Sequence, residues 1–121
     1  MINVKDKVYE KLCSVCDNVT DVYPGDWENL PAIQYTEEEN TIYQKVDGAE
    51  SMSKLRYRID IWDNKSTTAM SIAVDEVMSE LGLNRVTCSD VEDPSRRRHK
   101  LMRYEGVIDN ETELVYWDGS R

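Results

Sequence analysis

Leu55-Arg-Tyr-Arg-Ile-Asp-Ile-Trp-Asp63 is the stretch of sequence that decides the fold. Its apolar side chains recur at every second position, a period that places them on one face of a β-strand. These side chains are Leu55, Tyr57, Ile59 and Ile61. Trp62 falls in the opposite, polar row, where two interpretations stay open: partial burial, or an exposed ring that contacts another subunit.

The next residues change to a helical period. Five apolar residues form one stripe along this helix: Ala69, Ile72, Ala73, Val77 and Leu81. Gly82 is suited to end the helix, because glycine adopts the left-handed backbone geometry that follows a helix C-terminus. The strand therefore leads into a helix over residues 66–81 that packs back on the sheet, and we expect Ile72 and Val77 in the core.

A second amphipathic helix is predicted over residues 2–17. Apolar residues recur there at spacings of three or four, as in a helix with one buried face. They are Val4, Val8, Leu12 and Val15. Asn3 is a candidate N-cap, and Asn18 is a candidate end because Asn tolerates left-handed backbone geometry.

Period-two runs and turn residues predict further strands. They cover residues 31–36, 41–46, 85–91, 100–108 and 112–117. The acidic stretch Glu37-Glu-Glu-Asn40 connects the first two, and residues 47–53 are predicted to form a flexible loop. Because neighbouring strands in sequence favour antiparallel pairing, the order predicts one α+β domain over residues 1–121. We expect an antiparallel or mixed β-sheet with two α-helices packed on one face.

The net charge of the chain limits the classes of partner that it is expected to bind. The net charge is -9 and the pI about 4.6, which argues against a general nucleic-acid binder and against binding to an anionic membrane surface. No apolar run is long enough for a transmembrane helix, which needs about 20 residues. The N-terminus has no apolar signal-peptide core, so we expect a protein that stays in the cytoplasm where it is made.

The positive charge is concentrated in one place. Residues 94–104 contain five basic residues and no acid, so the rest of the chain carries all 24 acids against ten bases. A basic spot on an acidic body suits docking on an acidic neighbour, including another copy of the chain. We expect the run Arg96, Arg97, Arg98 and Lys100 to contact an acidic stretch such as Glu37, Glu38 and Glu39. A DNA contact is the alternative for this basic run.

Few residues in the chain suggest catalysis or metal binding. Cys13-Ser-Val-Cys16 is a CxxC motif in the last turn of the predicted first helix, where exposed carbonyls disfavour a reactive thiolate. Only Cys88 and His99 remain as further zinc ligands, so we expect reduced thiols and no metal. His99 lies in the basic run and is predicted to be solvated. Paired carboxylates support metal-assisted phosphoryl chemistry, but Asp60 and Asp63 are expected on a solvated face.

The chain resembles the tail completion, or tail terminator, proteins of long-tailed bacteriophages, a group that includes head-to-tail joining and minor tail proteins. The matching features run in order along most of the chain. They are the N-terminal helix, Val22-Tyr-Pro24, Leu30-Pro-Ala-Ile-Gln-Tyr35, Tyr57-Arg-Ile-Asp-Ile-Trp62, a helix ending Leu81-Gly-Leu83, and Arg103-Tyr-Glu-Gly106. The run from Arg96 to Lys100 is a departure from the family pattern.

The resemblance implies an α+β protein that assembles as a ring, commonly sixfold, at the head-proximal end of the tail tube. The ring would stop tail polymerisation and offer a surface to the head connector. Its partners would be copies of itself, the tail tube protein and the head connector protein, with DNA passing through without specific binding. The resemblance implies a virion protein assembled in the host cytoplasm, with no enzymatic activity and no cofactor. Residues 47–54 and 94–100 are the expected contact segments.

Two other classes of function stay open. One is a small divalent-metal phage enzyme, nuclease-like, that uses Asp60 and Asp63. The other is a monomeric adaptor that binds one host protein.

Overall fold

The computed structural model describes residues 1–112 and the backbone of residues 115–117. The elements, in chain order, are α1 (Lys5–Cys13), β1 (Asn18–Thr20), β2 (Ala32–Val46), β3 (Ala49–Asp63), α2 (Thr68–Glu80), β4 (Asn84–Val91), β5 (Arg98–Asp109) and β6 (Val115–Trp117). The strands form one sheet in the order β1-β2-β3-β5-β4, with β6 also paired to β5. β1 is parallel to β2 and the other pairs are antiparallel, so the predicted α+β fold with a mixed sheet is confirmed.

The predicted apolar row of β3 forms the centre of the core. Leu55, Tyr57, Ile59 and Ile61 are all fully buried. They share one hydrophobic cluster with Val8 of α1 and Val74 of α2. Both helices therefore pack on the same face of the sheet, because successive side chains of a strand point to opposite faces.

Helix α2 is rotated relative to the predicted stripe. Its buried residues are Ser71, Val74, Val77 and Met78. Ile72 is 57% exposed, so its predicted place in the core is wrong. Ser71 tolerates burial because its hydroxyl donates a hydrogen bond to the Thr68 carbonyl at 2.8 Å. The end of the helix is as predicted: Gly82 has a positive φ of 82° and directly follows the C-cap.

Helix α1 is shorter than predicted at both ends. Val4, and not Asn3, is its N-cap, although Ile2 and Val4 are buried in the core from outside the helix. Asn18 begins β1 and does not end the helix. Its side-chain amide donates to the carbonyls of Asp26 and Asn29, both at 2.8 Å, and thereby holds the loop that follows β1.

The predicted acidic connection and flexible loop are instead parts of one long β-hairpin. β2 continues through Glu37–Glu39, where a register shift accommodates an extra residue as a β-bulge. Asp47 and Gly48 form a tight turn with positive φ values of 53° and 80°. β3 starts directly after the turn, at Ala49. The expectation of a loop over residues 47–53 is therefore wrong, because a two-residue turn is sufficient to reverse the chain.

The later strands follow the prediction more closely. β4 covers the predicted strand over residues 85–91, and β5 begins two residues before the predicted start at Lys100. Part of the basic run therefore lies in a strand. Of the strand predicted over residues 112–117, β6 forms residues 115–117, whereas Thr112 lies in a turn and residues 113 and 114 lie outside the described residues. Among the described helices, neither is long and apolar enough to cross a membrane.

Candidate interaction site

A group of three aromatic rings lies on the sheet face opposite the helices. Trp62 is 3% exposed, so of the two interpretations left open for this ring, the exposed one is wrong and the ring is buried. Tyr23 and Trp27, from the loop after β1, each place a ring against Trp62 at 5.6 Å between ring centroids. The interplanar angles of 81° and 84° are edge-to-face geometry, which is favoured for aromatic pairs. This loop covers a part of the face that the sequence pattern assigned to solvent.

Asp60 lies beside this aromatic group and is 3% exposed, so its predicted solvation is wrong. Its carboxylate accepts two hydrogen bonds from Arg58, at 2.8 and 3.1 Å. The Nε2 of His99 lies 2.8 Å from the same carboxylate and donates to it, since an ionised carboxylate only accepts. The hydrogen bond to Asp60 raises the pKa of the Arg58 guanidinium above its ordinary value. Asp60 is thus bonded to two partners within the chain.

His99 is not the solvated loop residue that was predicted. It lies in β5, its side chain is about 9% exposed, and its ring stacks on Trp62 with the centroids 4.4 Å apart. The second ring nitrogen, Nδ1, is buried and lies 3.5 Å from Asp93 Oδ1 without forming a hydrogen bond to a described residue. The imidazole is therefore held between the carboxylates of Asp60 and Asp93.

Asp93 connects the loop between β4 and β5 to the aromatic group. It accepts hydrogen bonds from the backbone N–H and hydroxyl of Ser95 and, at 3.0 Å, from the indole N–H of Trp62. These donors, the Ser95 hydroxyl first, lower the pKa of the Asp93 carboxyl below its ordinary value. The β4–β5 loop is in this way fastened to the face of the sheet.

The basic run is divided among different environments. Arg97 lies over the ring of Trp27, 4.4 Å from its centroid, in a cation–π contact. Lys100 pairs with Asp90 at 3.0 Å. Arg96 and Arg98 are exposed, and neither forms an ion pair with another described residue. Of the basic residues in this run, Arg96 and Arg98 therefore keep their charge available to a partner.

The acidic stretch of β2 is partly engaged within the chain. Glu38 accepts a hydrogen bond from Arg103 at 3.0 Å and lies 3.4 Å from the Nε of Arg56. Glu37 accepts a hydrogen bond from the buried Tyr57 hydroxyl at 2.8 Å. Burial and this bond raise the pKa of Tyr57 above its ordinary value. The expected contact of these glutamates with another copy stays a prediction.

The two cysteines of the CxxC motif lie in different environments at the end of α1. Cys13 is exposed as the last helical residue, whereas Cys16 is buried beyond the helix, with its sulfur 3.3 Å from the Pro31 carbonyl. Burial raises the pKa of the Cys16 thiol, which opposes thiolate chemistry. Both thiols are free.

Asp60 and Asp63 do not form the carboxylate pair that a metal-dependent enzyme would need. They are three residues apart on β3 and so point to opposite faces of the sheet. Within residues 1–112, no three His, Cys, Asp or Glu side chains are grouped so that they could hold a metal ion.

The sheet has two open edges. β1 pairs with β2 only at residues 32–34, and no other described strand continues along that edge. β4 forms the opposite edge and pairs only with β5 among the described strands. Sequence reasoning missed both edges, because a strand pattern carries no information on its position in the sheet.

The distal part of the β2–β3 hairpin extends past the strand that flanks it. β3 pairs with β5 only as far as Met52, which lies opposite Gln44 of β2, so residues 45–51 form a two-stranded extension. Residues 42–51 are here called the hairpin arm. Three large apolar side chains on the arm are more than half exposed: Ile42, Tyr43 and Val46. Exposed apolar side chains grouped on one segment are typical of a protein–protein contact.

No protein-family model matches this chain, and a comparison with curated proteins found no match either.

Proposed function

We propose that this protein is a structural virion protein of a long-tailed bacteriophage that caps the tail tube and joins it to the head. It acts as an oligomeric ring, for which the resemblance to tail terminators implies six copies. The observation that carries the proposal is the hairpin arm, whose exposed apolar side chains need a partner surface. Its neighbours would be further copies of the chain, the tail tube protein and the head connector protein.

The chemistry of the described residues supports a binding role. Asp60 bonds to Arg58 of the same strand and to His99 of β5, so these polar groups are used to join neighbouring parts of the sheet. The net charge of -9 fits a ring through which DNA passes, because an acidic surface repels phosphate groups. The protein would be made in the host cytoplasm and remain in the tail of the finished virion.

Deletion of the coding gene from the phage genome tests this proposal. Electron microscopy is expected to show tails of uncontrolled length and heads without tails, and wild-type protein supplied in trans is expected to restore normal particles. Normal particles from the deleted phage would refute the proposal.

A variant with the arm made polar, Ile42→Ser with Tyr43→Ser and Val46→Ser, is expected to fold but not to restore particles. The matched control is Val22→Ser with Ile72→Ser, which removes exposed apolar side chains elsewhere and is expected to restore them. Restoration by the polar-arm variant would show that the arm is not the contact surface.

A different result is expected if the protein is instead a metal-dependent enzyme. Asp60→Asn combined with Asp63→Asn would abolish a magnesium-dependent cleavage of DNA. We expect the purified wild-type protein to cleave none, and cleavage that is lost in this double variant would favour the enzyme.

A further inference from the structure

The outer edge of β4 lies along one side of the sheet and pairs with no other strand among the described residues. A strand edge carries unpaired backbone N–H and C=O groups, which are a template for a strand of another chain. We propose that β4 of one copy pairs antiparallel with β4 of a second copy, centred on Cys88, so that the free protein is a two-fold dimer with one continuous sheet.

This inference goes beyond the proposed function and does not depend on it. A contact between two identical patches closes as a dimer, whereas a ring needs a contact between two different patches. The β4 contact therefore describes the protein in solution, before any assembly on a tail. It can be tested on the purified chain without phage.

Three side chains of β4 point to the face of the sheet that carries the helices. Opposed residues of antiparallel strands share a face. Arg85 and Cys88 lie opposite Tyr104 and Met102 of β5, which are both buried in the core beneath the helices. Asp90 follows Cys88 by two residues and therefore shares its face. An antiparallel contact of β4 with β4 keeps this face on the same side in both copies.

A β-bulge at Val86 decides which residues meet beside the centre of the contact. The register of β4 with β5 passes over Val86, and in a bulge two residues oppose one residue of the neighbouring strand. With Cys88 opposite Cys88 of the second copy, Arg85 and Val86 together lie opposite Asp90. Since Arg85 and Asp90 point to the same face, they meet as an ion pair, and the two-fold axis makes this contact twice.

This ion pair continues a series of charges that exists in the single chain. Arg85 lies 3.2 Å from Asp75 of α2, and Asp90 lies 3.0 Å from Lys100 of β5. Across the contact the charges alternate in sign: Lys100 and Asp90 of one copy, then Arg85 and Asp75 of the other. The side chains of Arg85 and Asp90 are 49% and 81% exposed, so both are accessible to a second copy.

Charge also selects the antiparallel direction. Parallel pairing about the same centre would set Arg85 against Arg85 and Asp90 against Asp90, and like charges on opposing strands are destabilising.

The remaining residues of β4 are compatible with the antiparallel alignment. Thr87 and Ser89 are two residues apart on the other face of the sheet and oppose one another across the contact. Such pairs of hydroxyl side chains stabilise a sheet by hydrogen bonding. The outermost pair is Asn84 with Val91, so all eight residues of β4 take part and none opposes a like charge.

Cysteine crosslinking tests the centre of the contact. Cα atoms of opposed residues in antiparallel strands are about 4.5–5.5 Å apart, within the range that a disulfide spans. The variants Cys13→Ser and Cys88→Ser each keep one exposed cysteine, at 88 and at 13, and so form a matched pair. On mild oxidation, Cys13→Ser is expected to form disulfide dimers rapidly. Cys88→Ser is expected to form them slowly and only through random collision.

A third variant tests the alignment. Cys88→Ser with Ser89→Cys and Cys13→Ser moves the cysteine by one residue, where it opposes Thr87 and not its own copy. Slower dimer formation is expected than with cysteine at 88. Equal rates for cysteines at 13 and 88, or faster crosslinking at 89 than at 88, would overturn the inference.

A charge exchange tests the contact without oxidation. Arg85→Asp and Asp90→Arg each place like charges opposite one another twice, and each is expected to weaken the dimer about tenfold. The double variant restores opposite charges between copies and is expected to recover most of this loss. It also lacks both ion pairs within the chain, so recovery can come only from a contact between copies.

Mass measurement across protein concentrations under reducing conditions gives the dimer affinity of each variant, and circular dichroism checks that each folds. Dimers that the single substitutions leave unchanged, or that the double variant does not recover, would overturn the inference. A wild-type protein that is monomeric at the concentrations used for crosslinking would also overturn it and would leave the β4 edge to a different protein.

Discussion

The indole ring of Trp62 stacks on the imidazole of His99, with the ring centroids 4.4 Å apart and the planes inclined by 24°. The two residues are directly opposed on β3 and β5, so the antiparallel register alone brings them together. Each ring also bonds to a carboxylate: the indole N–H donates to Asp93, and the imidazole Nε2 to Asp60. This pair therefore joins two strands and the β4–β5 loop in one buried polar cluster.

Removal of the Asp60 carboxylate is expected to destabilise this cluster. Asp60→Ala leaves the Nε2 of His99 and the bonded nitrogens of Arg58 without their acceptor, at a cost of about 1–3 kcal/mol in the free energy of unfolding. The control is Asp63→Ala, at the less buried end of the same strand, with an expected change within about 0.5 kcal/mol. Urea denaturation measures both, and equal effects would show that the buried bonds to Asp60 add no stability.

Two matched substitutions test which face of helix α2 is packed on the core. Val77→Ala is expected to cost on the order of 1–3 kcal/mol, because the lost methyl groups are buried and leave a cavity. Ile72→Ala removes an exposed side chain and is expected to change stability by no more than about 0.5 kcal/mol. Thermal or urea unfolding of the two variants distinguishes them. A larger loss for Ile72→Ala would mean that the predicted stripe, and not the observed one, faces the core.

The lowered pKa of Asp93 predicts a dependence of stability on pH. Its folded-state pKa lies below the ordinary value of 3.8, so its contribution is fully present above that pH. The contribution is lost as the pH falls from about 3.8 through the lowered pKa. The difference in unfolding free energy between wild type and Asp93→Asn is therefore expected to be constant above about pH 5 and to shrink below pH 4.

Comparison with the variant removes the effect of other acids. Glu50, whose pKa is lowered to about 2 by bonds from the N-terminal ammonium and Ser53, titrates equally in both proteins. A difference that grows on acidification would contradict the assignment of Asp93.

Charge reversal tests the unpaired arginines. Arg96→Glu with Arg98→Glu is expected to weaken assembly while the monomer stays folded, because both side chains are exposed. Arg97 is left unchanged, since it packs on Trp27. The assembly of the wild type is expected to weaken as salt rises, and that of the variant to depend less on salt. Mass measurement across protein and salt concentrations gives both quantities.

The control for this prediction is Lys65→Glu, which reverses an exposed charge elsewhere on the surface. It is expected to assemble like the wild type. Equal assembly of the arginine variant would remove these two residues from the interface, and duplex DNA binding lost in that variant would favour the DNA alternative for the basic run.

The sequence by itself determined the local elements. The alternation from Leu55 to Ile61 specified the buried face of β3, and Gly82 specified the end of α2, because both depend on nearby residues only. The α+β class followed from the order of these elements.

Only the tertiary structure decided what covers each face. Asp60 and His99 were assigned to solvent, and Trp62 was left open between exposure and partial burial. The reason is that periodicity shows which side chains share a face and gives no information on the loops that fold over it. Two distant loops, carrying Trp27 and Asp93, bury that face. Contacts between residues far apart in the chain also decide three other features. These are the rotation of α2, the continuation of β2 through its glutamates, and the two open edges of the sheet.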